Sequence, residues 1–264
     1  MNEILVTTLA ITAIGLVCGV ALAIIAKRFA VKEDQLVVDV EHALPGANCG
    51  GCGYAGCAAY AKAIVAEGAP INKCSPGGAE VLDAIALLTG KEAAAPEPVV
   101  AYVKCGGDRS TAKRRSQYNG VTDCSVANIV AGGWKECQYG CLGFGSCARV
   151  CEYGAISIKN GLAIVDPKIC VGCGMCVKQC PRNLIVMVPV AHKIHVRCSS
   201  LEKGAVVRKQ CSVGCIGCGM CVKLEGGVSM AMNGTLAVVD YTKPPVAVEG
   251  VVAKCPVKCI EKIS

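Results

Sequence analysis

The stretch CQYGCLGFGSC (137–147) returns as CSVGCIGCGMC (211–221), and this repetition decides how the chain is built. Each copy leads into a pair of alternating apolar runs. After the first come AISIK, Asn160-Gly161 and LAIVD; after the second come VSMAM, Asn233-Gly234 and TLAVVD. Asn-Gly between two such runs predicts a β-hairpin with a two-residue turn. Beyond the first hairpin lies a further cysteine run, CVGCGMCVKQCP (170–181). The repeating unit is cysteine loop, hairpin, cysteine loop, and it predicts an α+β fold of small helices and short hairpins.

Composition explains why such a unit needs more than hydrophobic burial. Of 264 residues 22 are Cys, against one Trp and two Phe, too few large apolar side chains for an ordinary core. Metal bound to thiolates supplies the missing folding free energy. A secreted disulfide scaffold is the competing reading. It is disfavoured by the tight C-x2-C-x2-C spacing, which gathers neighbouring thiols on one centre, and by the lack of a cleavable signal peptide. Zinc accounts for C-x2-C pairs, but a third cysteine two residues on favours a cubane iron–sulfur core. The formal charge of +7 includes a basic run at Lys104, Arg109, Lys113, Arg114 and Arg115. It reads as a solvated linker, or else as a surface that steers an acidic redox partner. No nucleic-acid motif or aromatic interleaving accompanies it.

The N-terminus carries no charge from Ile4 to Ala26. As a helix this segment extends about 34 Å, enough to cross a bilayer. Lys27, Arg28 and Lys32 follow it, which puts the rest of the chain on the cytoplasmic side. Gly15 and Gly19 form a GxxxG step, and Cys18 reads as a packing residue. Next comes LPGANCGGCGYAGC, with cysteines at 49, 52 and 57, followed by Cys74. Glycines let the backbone wrap a compact inorganic core and turn amide groups toward it. A helix opening at Cys57 and stopped by Gly68 and Pro70 returns the chain to Cys74, and a second helix runs from Ala79 to Thr89 before Gly90. Gly51, Gly53 and Gly56 spell a dinucleotide fingerprint, but Cys52 and Cys57 interrupt it and no acidic residue closes a following strand, so no nucleotide is expected. The run 92–98, rich in Ala, Glu and Pro, reads as a linker. His42, His192 and His195 show no ligand spacing.

The cysteine-rich units are similar to bacterial two-cluster ferredoxins, in which the cysteine before Pro serves the neighbouring cluster. That likeness implies one cluster on Cys151, Cys170, Cys173 and Cys176. It implies a second on Cys137, Cys141, Cys147 and Cys180, with Cys137 standing in because Phe144 occupies the place of Cys218. In the second unit Cys215, Cys218 and Cys221 form a regular triad with Cys255, which precedes Pro256. There Glu225 replaces the other cross-ligand and the loop 240–256 lacks a triad, so the two losses together remove one cluster. Cys105, Cys124, Cys198 and Cys211 remain available for a further cluster, and Cys259 is left without one.

Taken together, the anchor, the motif Cys49-Cys52-Cys57-Cys74 and the ferredoxin-like loops resemble the B subunits of Rnf complexes, the ion-translocating ferredoxin:NAD oxidoreductases. The resemblance implies four [4Fe–4S] clusters, and the remaining four cysteines read either as a fifth or as buried free thiols. It implies electron uptake from soluble reduced ferredoxin and delivery to the membrane and peripheral subunits of a complex that moves Na⁺ or H⁺. It places the chain in the inner membrane by a single pass. The expected domains are an anchor (1–30), a small helical four-cysteine domain (31–92), a linker and basic segment (93–134), a two-cluster ferredoxin-like domain (135–190) and a degenerate one-cluster domain (191–264). The rival readings are the electron-wire subunit of another membrane redox enzyme and an anchored zinc module.

Overall fold

A computed structural model describes residues 2–28, 34–92, 97–247 and 250–263. Lys32 and most of the expected linker lie outside the described residues. The first helix, α1 (Asn2–Arg28), has no charged residue from Leu5 to Ala26, exposes the side chains of that stretch and ends on Lys27 and Arg28. Among the described residues nothing covers it, and its length and composition make it a candidate membrane span.

Three helices make the N-terminal domain: α2 (Gln35–Ala43), α3 (Cys57–Ala66) and α4 (Gly78–Thr89). Asp34 caps α2 by accepting from the Leu36 amide, and Gly90 ends α4 in the left-handed conformation. Their core is Val40, Leu44, Tyr60, Ile64, Leu82 and Ile85.

The remainder follows one plan twice. In the first unit β1 (Val99–Val103) leads to α5 (Cys124–Ile129) and α6 (Ser146–Arg149). A hairpin of β2 (Ile156–Lys159) and β3 (Leu162–Val165) follows, then α7 (Met175–Gln179) and β4 (Ile185–Pro189). In the second unit β5 (Ile194–Val196) leads to α8 (Gly204–Gln210) and α9 (Met220–Glu225), the hairpin β6 (Met230–Asn233) and β7 (Leu236–Val239), α10 (Gly250–Lys254) and β8 (Ile260–Lys262). The outer strands pair antiparallel in both, β1 with β4 and β5 with β8. The expected boundary at residue 135 therefore falls inside a folded unit. The run VVAYV has the β-branched and aromatic content of a strand, and it pairs with β4 rather than serving as linker.

The basic segment is ordered as well. The Lys113 amide donates to the Gln210 carbonyl, Arg115 to Trp134, and Ala112 bridges to Cys211, so this stretch straps the first unit to the second. Tyr102 of β1 stacks on His195 of β5 at 4.4 Å and donates to Glu261 of β8, tying the two units through their outer strands.

The two hairpin turns differ. Lys159 pairs with Leu162, so Asn160-Gly161 is the turn, both residues having positive φ. Asn233 itself pairs with Leu236, which makes Gly234-Thr235 the second turn and corrects the expected Asn233-Gly234. Only Gly234 there has positive φ, the pattern of a turn with Gly first. A glycine of each cysteine loop lies under the turn: a Cβ on Gly143 would collide with the Gly161 carbonyl, and one on Gly217 would stand 2.6 Å from that of Thr235.

Candidate iron–sulfur sites

The first site sits at the start of α3. Cys49, Cys52, Cys57 and Cys74 line one cavity with Leu44, Pro45, Tyr60 and Pro76. The Asn48 carboxamide accepts from the Cys57 amide at 2.7 Å, and Gly56 leaves room for it, since a Cβ there would meet Asn48 Oδ1 at 2.8 Å. Tyr60 explains how Cys74 returns: its hydroxyl donates to the Pro70 carbonyl (2.7 Å) and accepts from the Lys73 amide (3.1 Å). Burial pushes Tyr60 up to about 12 and raises the Cys74 thiol too. This domain docks on the first unit through Gly51, where a Cβ would collide with the Cys173 carbonyl, and through Lys178, which donates to the Gly50 carbonyl.

Cys151, Cys170, Cys173 and Cys176 come together as expected. Burial pushes Cys176 up to about 12, and the thiols of Cys170, Cys173 and Cys151 add to it. The Ala101 amide donates to Cys170 Sγ at 3.4 Å.

The neighbouring site departs from expectation. Its cavity is lined by Cys141, Cys147, Cys180 and Cys124, not Cys137. Cys124 opens α5, whose N-cap Asp123 accepts from the Ser125 and Val126 amides. Ser146 on α6 donates to Asp123 Oδ2 and accepts from the Cys124 amide, both at 2.8 Å, while Arg149 pairs with the same carboxylate. This lock holds Cys124 against the helix that carries Cys147. Phe144 therefore has its substitute from upstream, and the Asp cap directly before Cys124 was the available signal. Burial pushes Cys147 up to about 12, with Cys141 and then Cys124 the next contributors.

Cys137 goes instead to a cavity between the units, with Cys105, Cys198 and Cys211. The expected further set is corrected in one member: Cys137 takes the place of Cys124. The reason is pseudo-symmetry. Cys105 follows β1 as Cys198 follows β5, and Cys137 matches Cys211 in the repeated loop. The Lys104 amide donates to Leu184 as Arg197 donates to Cys259, which fixes the equivalence. Each unit thus contributes one thiol after its outer strand and one from the start of its cysteine loop. The Cys141 amide donates to Cys105 Sγ at 3.3 Å. Arg182 fixes the loop by donating to the carbonyls of Cys137 (3.1 Å), Gly140 (2.6 Å) and Gly132. Buried Lys135 donates to the Gly107 carbonyl beside the same thiols. Burial, then neighbouring thiols, push Cys137 up to about 11.

The last cavity holds Cys215, Cys218, Cys221 and Cys255, together with Cys259. The Cys259 amide donates to Cys255 Sγ (3.2 Å) as the Leu184 amide donates to Cys180 Sγ (3.4 Å). Cys259 thus occupies the place of Leu184. Its buried thiol hydrogen-bonds Cys198 and Cys215, which draws those two down to about 7 and about 6 and raises Cys259 itself. Where the other cluster would have lain, the Glu225 carboxylate accepts from the Ser229 and Met230 amides, so the turn closes on itself.

No described cysteine is in a disulfide. Among the described residues no group of His, Cys, Asp or Glu converges to hold a single metal ion. Four of the groups of thiols ring cavities, and four thiolates around one cavity are the donor set of a cubane iron–sulfur core. Raised thiols crowded together need a cationic core to hold them as thiolates, and amide-to-sulfur bonds are the second shell such a core uses. His192 and His195 are buried away from these cavities and His42 is exposed, so none is a ligand.

Comparison with known proteins agrees with this chemistry. A family model for an Fe-S cluster motif matches residues 44–76, and one for a 4Fe-4S binding domain matches 163–186. Full-length relatives include the B subunits of three complexes. The chain is 47% identical to that of the proton-translocating ferredoxin:NAD(+) oxidoreductase complex of Clostridium ljungdahlii, over 100% of this chain and 94% of that one. It is 44% identical to that of the Na(+)-translocating ferredoxin:NAD(+) oxidoreductase complex of Acetobacterium woodii, over 98% and 78%. To that of the ion-translocating oxidoreductase complex of Methanosarcina acetivorans it is 40% identical, over 99% of both.

Proposed function

Because the chain belongs to the family of B subunits of ion-translocating ferredoxin:NAD(+) oxidoreductase complexes, we propose that it takes electrons from reduced ferredoxin and relays them to the membrane subunits along a single file of five [4Fe–4S] sites. The ligand sets are Cys49, Cys52, Cys57 and Cys74; Cys151, Cys170, Cys173 and Cys176; Cys124, Cys141, Cys147 and Cys180; Cys105, Cys137, Cys198 and Cys211; and Cys215, Cys218, Cys221 and Cys255. Each centre, when bound, supplies one-electron chemistry at a potential set by its thiolates, their hydrogen bonds and their exposure. The two similar units are two ferredoxin-like repeats, the second reduced to one internal site.

One observation supports this reading: each group of thiols lies near the next. Cys49 lies beside Cys173, with the half-buried Tyr153 near both and pushed up to about 12 by burial. Cys176 and Cys147 share the core of the first unit. The Cys141 amide reaches Cys105, and Cys259 joins Cys198 to Cys215. The file begins in the second unit and ends in the domain that follows α1, so the direction is inward to the bilayer. In this reading α1 crosses the membrane once, with Lys27 and Arg28 at the cytoplasmic face. The residues at the sites exclude water and hold sulfur; no acid, base or nucleophile is arranged for substrate chemistry.

Iron and sulfide analysis of the anaerobically purified complex tests it. Five sites hold about 20 Fe per chain, and content of about 16 or less in fully loaded protein rejects the count. Cys124→Ser and Cys137→Ser should each perturb one paramagnetic signal, and a different one. A shared signal would return both residues to one site.

A further inference from the structure

The far end of the file is unlike the rest of the surface. Cys218 is the one described cysteine outside α1 that is exposed. Around it stand the exposed apolar side chains of Met220 and Leu224 on α9, with Val228 just beyond. Lys223 on α9, Lys254 at the end of α10 and Lys258 after Pro256 are exposed as well. None of these three ammonium groups has a hydrogen bond or ion pair among the described residues, and Glu225, the acid nearest Lys223 in sequence, is turned inward onto backbone amides.

The first unit is an internal control. There the position of Lys223 is Arg149, committed to Asp123, and those of Lys254 and Lys258 are Gln179 and Asn183. The last pair is the more telling. Asn183 has φ 51° and Lys258 has φ 50°, and each amide donates to the carbonyl of the cysteine three residues before it. Asn tolerates the left-handed region, whereas Lys there carries a conformational cost. A lysine kept in that conformation, with nothing among the described residues to bind, points outward to a partner.

We propose that this face, with Met220 and Leu224 at its centre and Lys223, Lys254 and Lys258 around it, is where an acidic, low-potential iron–sulfur protein docks to deliver electrons. The proposal rests on the ferredoxin-linked reading above and adds the place of entry. Each encounter moves one electron from the reduced donor to the Cys215–Cys255 site, with no atom or proton transferred. Lysines at the rim act on encounter, and the small apolar centre lets the donor leave quickly.

The test uses the intact complex, a purified acidic two-cluster ferredoxin, and the charge reversal Lys223→Glu, Lys254→Glu, Lys258→Glu. At low ionic strength the triple variant should weaken ferredoxin binding about 10- to 100-fold and flatten its salt dependence. Reduction by a small viologen radical should keep its wild-type rate, which shows that the sites remain loaded. Lysine footprinting should find the three side chains reactive in the free complex and protected when ferredoxin is added. Lys159→Glu, on the first unit, should behave as wild type. If ferredoxin binds and reduces the variant normally, this face is not the entry point although the ferredoxin reading stands. If wild-type complex takes electrons from viologen but not from ferredoxin, the underlying reading fails. Lysines already protected in the free complex would assign the face to a fixed neighbour and overturn the proposal.

Discussion

Cys259 fills in the second unit the place that Leu184 fills in the first, and the exchange matters because of where the thiol points. Spacing alone leaves Cys259 without a cluster, so its replacement reads as silent. Its contacts say otherwise: the thiol bridges Cys198 of the inter-unit site and Cys215 of the terminal site. Hydrogen bonds to coordinating sulfur stabilise the more negative, reduced state. Cys259→Leu, which installs the side chain of the sister unit, should keep all iron while moving two midpoint potentials negative. Redox titration followed by electron paramagnetic resonance measures both. Loss of iron would make Cys259 a ligand, and unchanged potentials would break the proposed link between the two sites. The same scale shows what sequence reading missed. Cys124 and Cys137 exchange sites because Asp123, Ser146 and Arg149 pin one, while pseudo-symmetry with Cys211 claims the other. Ligand type, motif and most of the groupings were legible; which group takes Cys124 and which takes Cys137 was not, because their partners lie far apart in the chain.

Among the elements, β5 carries the group most sensitive to acid. His195 is fully buried, accepts at Nδ1 from the Tyr241 hydroxyl, donates from Nε2 to the His192 carbonyl, and stacks on Tyr102. Burial lowers its pKa from 6.5 to about 4. Between those values the unfolded chain binds a proton that the folded chain refuses. The stabilisation is therefore complete above pH 6.5 and disappears as pH falls toward 4, at most about 3 kcal/mol. His195→Phe should flatten that part of the stability profile, measured by denaturant unfolding of the loaded protein between pH 4 and 7. An unchanged slope would show that another group titrates. The neutral ring also clamps the outer strands of the two units together, a role that no motif around it announces. Hairpins were the most readable elements, since alternating apolar runs around Gly and Asn specify them locally. Even so, the second turn falls one residue later than Asn-Gly predicts, because Asn233 remains in the ladder.

At the scale of the whole molecule, the arrangement that matters is the docking of the N-terminal domain on the first unit. Gly51 lies so close to Cys173 that any side chain would strike its carbonyl. Gly51→Ala should leave the four thiols of its own site in place yet push the two domains apart. Iron content should hold, while electron flow from ferredoxin into the membrane subunits slows at least tenfold, since electron transfer weakens steeply with separation. Rapid-mixing spectroscopy of the complex resolves the step; an unaltered rate would mean that electrons leave by another site. Local sequence was enough to read the apolar N-terminal helix, the four-cysteine motif at 49–74, the duplicated cysteine loops and hairpins, and the iron–sulfur chemistry. Those depend on local spacing, turn residues and charge, which act over a few residues. Only packing places β1 in the first unit, straps the two units together with the basic segment and sets Cys137 beside Cys211. Each of these rests on contacts between segments distant in the chain, set by which surfaces pack and not by the spacing of any motif.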